Sequence, residues 1–246
     1  LLIQGNIPKI YYYGKELLPY LNARLDDIRL MDSLGAEGHI TFSSGWEWGY
    51  WLIDWSIARW SWVSKFNGIH NHSSYLQFAD ETLEKILNLQ QEYIKDKELI
   101  RYMAPLSFSD ELPDYFKLEF QPKPIYSNRY ILKKALPYQL DTLTKNAVEP
   151  LILFADSCSS LLKGLSVNSE GQTREIEQEL IYGLAVTALR AKHKANILQY
   201  YIEKREAQIK KQEFTDPNNR LSNAAKIRGQ ALELVKLQEK HYRYPY

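Results

Sequence analysis

All six tryptophans of the chain fall between residues 46 and 62, at positions 46, 48, 51, 55, 60 and 62. A large aromatic side chain buries about 150–250 Å² and is costly to leave in water. Six indoles crowded into so short a stretch must therefore form either a core or a wall that faces a ligand. The surrounding sequence, Gly38 to Val63, is the segment around which the remaining chain has to be arranged.

Composition narrows the partners. The formal net charge is +1 and the isoelectric point near 7.9, so no overall field draws the chain to nucleic acid or to an anionic membrane. A single cysteine, Cys158, excludes an intramolecular disulfide. No window holds the roughly 18 consecutive apolar residues that a membrane-spanning helix needs. The 246 residues are enough for one large core, or for a small domain with a helical extension. The chain opens directly on the apolar run Leu1-Leu2-Ile3 and closes on His241-Tyr242-Arg243-Tyr244-Pro245-Tyr246. The expectation is a piece of a longer protein whose N-terminal part is missing, so no compartment is assigned.

Leu1 to Ile3 reads as a short strand, followed by loop residues Gly5, Asn6 and Pro8. Leu17, Leu18, Leu21, Leu25, Ile28 and Met31 then recur at helical spacing, and Leu34-Gly35 supplies a left-handed stop. His39 to Ser43 is a second short strand. Strand, helix and strand in this rhythm imply parallel pairing. A helix apolar on most of its circumference follows, from about Tyr50 to Val63. Ser73 or Ser74 is placed to cap the next helix, which carries Leu76, Phe78, Leu83, Ile86, Leu87, Tyr93 and Ile94 and runs on to Met103. Pro105 stops it, and four prolines between 105 and 127 predict a partly extended connection.

From Ser127 onward the pattern is helical, over roughly 129–164, 173–212 and 219–242. Pro137 and Pro150 should start or kink the first of these helices. The segments 164–171 and 214–219 have the chemistry of loops. Glu175 and Glu177 are expected in an acidic first turn of the second helix, and Lys204, Lys210 and Lys211 in a basic last turn. The expected fold is mainly α. Two short parallel strands form a remnant βα unit near the N-terminus (residues 1–65), and a helical, proline-rich connection spans 66–128. Three long antiparallel helices then form an up-down bundle over 129–246.

Trp46-Glu47-Trp48 is the strongest candidate for chemistry. Indole faces stack on the C–H faces of sugar rings, a carboxylate accepts paired hydroxyls, and desolvation against indole can raise its pKa towards that of a general acid. Tyr50 and Asp54 extend this candidate binding set. Two bland readings stand beside it: both indoles are core while Glu47 caps the following helix, and Asp54 is one half of a structural ion pair with Arg59 or another arginine. Tyr11-Tyr12-Tyr13 could line the same pocket or simply pack. His70-Asn71-His72 has two ligand-type residues but no third at a convincing spacing, so neither a metal nor another cofactor is expected. His39 is read as a core or pocket histidine, His193 and His241 as lying on charged helix faces, and the basic stretch 190–211 as a solvated surface. Cys158 shares an apolar face with Phe154 and Leu161 and is expected to be an inert buried thiol. Phosphate-binding glycine loops, nucleophile elbows and His-Glu-x-x-His are absent from the sequence. No catalytic residue is assigned.

Strand, helix, then a strand ending in Ser43-Ser44-Gly45-Trp46-Glu47-Trp48-Gly49-Tyr50-Trp51-Leu52, an aromatic helix and a helical tail resembles the end of certain (β/α)8-barrel glycoside hydrolases. In α-glucuronidase-like and hexosaminidase-like families the last barrel units give way to a helical C-terminal domain. The resemblance covers residues 1–65 in arrangement and the tail only in being helical. It implies a carbohydrate partner and places Trp46, Glu47 and Trp48 as subsite residues. The paired catalytic carboxylates of those families come from earlier strands that this chain lacks. The alternative from another class is a non-catalytic helical interaction or scaffold module whose indoles are core.

Overall fold

A computed structural model describes residues 21–36, 80–97, 99–103, 108, 110, 127–165 and 171–239. The expected strands at 1–3 and 39–43 and the whole tryptophan-rich stretch lie outside the described residues. What is described is mainly α, with no strand among the described residues. No helix among them is long and apolar enough to cross a membrane.

The first helix, α1 (Leu21–Ser33), ends as its sequence predicts. Gly35 takes φ 70°, Ala36 N–H donates to Met31 O at 3.0 Å and Gly35 N–H donates to Asp32 O at 3.0 Å. A left-handed residue at this point lets two otherwise orphaned carbonyls be used. Helix α2 (Asp80–Leu89) passes without a break into a wider π-helical segment, Gln90–Asp96. A short helix, α3 (Ile100–Met103), follows. Ile86, Leu87, Tyr93, Ile94, Leu99 and Met103 are all buried, so the apolar spacing read from the sequence does line a core.

The single helix expected over 129–164 is in fact two runs, 128–134 and 137–163, the second with a π-helical turn inside it, and the two prolines act differently. Helix α4 (Asn128–Lys134) is capped by Ser127, whose Oγ accepts from Tyr130 N–H at 3.2 Å. It stops before Pro137, because a proline disfavours helical backbone in the residue before it. Leu136 is accordingly extended, at φ −94° and ψ 159°, and α5 (Pro137–Leu143) starts on the proline itself. Gln139 Oε1 accepts from Leu136 N–H at 2.9 Å, and Gln139 Nε2 donates to Tyr130 Oη at 3.1 Å, tying the two helices across the break. Pro150 breaks nothing. A π-helical turn (Thr144–Val148) precedes it, with Glu149 N–H donating to Thr144 O five residues back, and α6 (Glu149–Lys163) continues from there. Widening the turn just before the ring relieves the clash that a regular helix would impose on the carbonyl four residues earlier.

Helix α7 (Gly171–Ile209) is the spine of the described structure. Its 39 residues correspond to a length of about 58 Å. It packs against α4, α6 and α8 (Arg220–Glu239). Lys192 Nζ lies 3.5 Å from Asp156 and donates to Ser159 at 3.4 Å. Further along, Arg205 donates to Ala135 O and Leu132 O at 3.0 and 3.2 Å. Residue numbers rise on α7 as they fall on the preceding helices, so the pairing is antiparallel, as expected. Arg205 also neutralises the carbonyl end of α4, where a cation is favourable. The shared core takes Leu151, Phe154, Ala155 and Cys158 from α6 and Leu184, Ala188, Ala191 and Ala195 from α7. Alanines at these spacings keep the facing side of α7 slim enough for close approach. Tyr93 stacks obliquely on Phe154 with ring centroids 5.5 Å apart.

The turn between α7 and α8 is built from polar side chains. Lys211 adopts φ 56° and Gln212 N–H donates to Ala207 O at 2.9 Å, a left-handed cap made without glycine. Asp216 then caps α8 with both carboxylate oxygens, accepting from Arg220 N–H at 2.9 Å and Leu221 N–H at 3.1 Å. Glu203 on α7 accepts from Arg220 and Asn218, stapling the turn to the spine. The helix termini correct two expectations. Because α7 starts at Gly171, Glu175 and Glu177 fall beyond its first turn and Glu177 is buried. Because it ends at Ile209, Lys210 and Lys211 belong to the turn rather than to a basic last turn.

Two substitutions test this turn in urea denaturation. Asp216→Ala removes both cap bonds and is expected to cost about 1–2 kcal/mol. Lys211→Gly removes the strain of a left-handed lysine and is expected to be neutral or to stabilise by up to about 1 kcal/mol. A large loss from Lys211→Gly would contradict the backbone geometry.

Candidate functional site

The middle of α7 reads Leu189-Arg190-Ala191-Lys192-His193-Lys194-Ala195. Arg190, His193 and Lys194 are three and four residues apart, so they share one face. Lys192 lies round the helix from them and reaches Asp156 at the surface. The other three are fully buried, and Arg190 and Lys194 are among the largest fully buried side chains in the structure. This corrects the reading of 190–211 as a solvated basic surface: His193 does share its face with two cations, but that face is buried. The physical reason is that α7 is covered on several sides at this level, so even its polar residues are enclosed.

Against this face lie Phe108 and Asp110, from the connection between Met103 and Ser127, and Arg228 from α8. His193 Nε2 is 3.2 Å from Asp110 Oδ1. Arg228 Nη1 donates to the same carboxylate oxygen. Tyr201, two turns along α7, donates its hydroxyl to Asp110 O at 3.3 Å and accepts from Asn128 Nδ2 at 3.4 Å. Phe108 meets the His193 ring edge-on, with centroids 5.4 Å apart. Asp110 is thus held through both its side chain and its main chain, at the junction of α7 and α8.

Electrostatics sets the protonation states. Burial pushes His193 down to about 4, with the Lys194 and Arg228 charges adding to it and the Asp110 carboxylate opposing it without prevailing. For Asp110, burial would raise the pKa. The Arg228 hydrogen bond and charge, then those of His193, outweigh burial and hold the carboxyl below its usual range. An ionised carboxylate only accepts, so the neutral imidazole must carry its proton on Nε2 and donate it to Asp110. Nδ1 is then an acceptor, and it meets no hydrogen-bond donor among the described residues. Lys194 is pushed down to about 8 by burial and by the Arg190 charge, against the pull of Asp110. Both Arg190 and Lys194 make further interactions of their own.

A carboxylate-oriented neutral imidazole beside an amine of lowered pKa has the ingredients of acid–base chemistry. All three α7 side chains are, however, sealed from solvent. The work the geometry shows is mechanical: one carboxylate joins the connection, α7 and α8. Cys158 is buried in the same core cluster as Phe154, as the sequence predicts. No group of three or more potential metal ligands occurs among the described residues. Trp46, Glu47, Trp48, Tyr50, Asp54, the tyrosines at 11–13 and the histidines at 39, 70, 72 and 241 lie outside the described residues. The Asp110 cluster was missed in the sequence, although alanines at 188, 191 and 195, among and on either side of the charged residues, signal a helix approached closely by its neighbours.

Because the folded protein resists protonating His193 until about pH 4 while the unfolded chain takes up the proton near pH 6.5, stability should fall as pH drops through that interval. The loss should reach about 3 kcal/mol, and His193→Gln should remove that part of the slope in urea titrations between pH 7 and 4.5. For the Asp110–Arg228 pair, both side chains remain more than a third exposed. A double-mutant cycle with Asp110→Ala and Arg228→Ala should therefore return a coupling of only about 1 kcal/mol. Strict additivity would mean the bond contributes nothing. Comparison of the chain with protein-family models, curated proteins and solved structures finds no match in any of the three.

Proposed function

We propose that this chain is the C-terminal part of a carbohydrate-active, glycoside-hydrolase-like protein, to which it contributes an aromatic sugar-binding wall while being inactive alone. The observation that carries this reading is the gathering of all six indoles between residues 46 and 62, with Glu47 between two of them. Trp46 and Trp48 stack on sugar rings, Glu47 accepts hydroxyls, and Tyr50 and Asp54 flank them. The mainly helical body agrees with the helical domain that follows the last barrel units in the families this layout resembles. Asp110 lies between the tryptophan-rich stretch and the long helices in the chain. Its attachment to His193 and Arg228 makes α7 and α8 the anchor for the connection between Met103 and Ser127.

A second reading, a non-catalytic helical interaction module, is favoured by one feature of α8. That helix packs on α7, buries Ala224 and Ala231, and leaves Leu221, Leu232 and Leu237 exposed. Isothermal titration with a panel of acidic and amino sugars separates the two. Under the first reading a sugar binds, and Trp46→Ala and Glu47→Gln each weaken it at least about tenfold, the loss of roughly 1.4 kcal/mol. Unchanged binding in both variants removes those residues from the site. Iodide quenching adds a direct discriminator: quenched indoles that saccharide protects support the sugar wall, whereas shielded indoles in a dimer stable to light scattering support the interaction module.

A further inference from the structure

We draw no further inference here: the strongest candidate, the buried cluster of Arg190, His193 and Lys194 around Asp110 where α7 meets α8, belongs to the site already described, and its Arg190 and Lys194 are already engaged by other groups.

Discussion

Enclosing α7 is the constraint on which the described structure depends. A helix buried along much of its length gains from every apolar contact, but it must also satisfy each polar side chain it carries inside. From Leu180 to Leu198 most side chains of α7 are buried, and they include Thr187, Arg190, His193 and Lys194 as well as the alanines and leucines of the core. Burying cations in this way is expensive unless a carboxylate and hydrogen bonds come with them. Asp110 is one such carboxylate. It is brought from outside the helical pair and gripped by His193 and Arg228. The connection between Met103 and Ser127 is therefore attached to the packing of α7 and α8 through a polar contact as well as through Phe108.

The same logic explains why the first long helix of the C-terminal half is segmented while the second is not. The stretch 128–163 carries two prolines, and each is accommodated by a local change: an extended break before Pro137 and a widened turn before Pro150. Helix α7 has no proline and presents alanine at 188, 191 and 195 to its neighbours, so it runs straight through the contact. Polar side chains then fix the ends of the elements. Ser127 caps α4, Arg205 closes its carbonyl end, Asp216 caps α8, and Glu203 holds the intervening turn.

Legibility in the sequence followed the strength of local signals. Glycine and proline mark chain geometry through sterics that act on one or two residues, so the Gly35 stop, the 214–219 turn and the disturbances at Pro137 and Pro150 could be read directly. Apolar periodicity placed Ile86, Leu87, Tyr93, Ile94 and Cys158 in the core for a similar reason. Burial of Arg190, His193 and Lys194 could not be read in this way. It depends on how many neighbours cover a helix, and their charges alone suggest a solvated surface. Nor could the partnership of Asp110 with His193 and Arg228 be found from spacing, since those residues are 83 and 118 positions away in the chain. The candidate sugar-binding residues Trp46, Glu47, Trp48, Tyr50 and Asp54 remain a reading of composition and order: a carboxylate among clustered indoles suits a carbohydrate.

The central claim is that the interior of α7 is held together around a neutral, carboxylate-bound imidazole. It is tested most directly by nitrogen NMR of selectively labelled His193 through an acid titration. The account predicts a single neutral tautomer with the proton on Nε2 throughout the neutral range, and protonation only near pH 4. An imidazole that takes up its proton close to 6.5, the value of a solvated histidine, or that carries its proton on Nδ1, would contradict it.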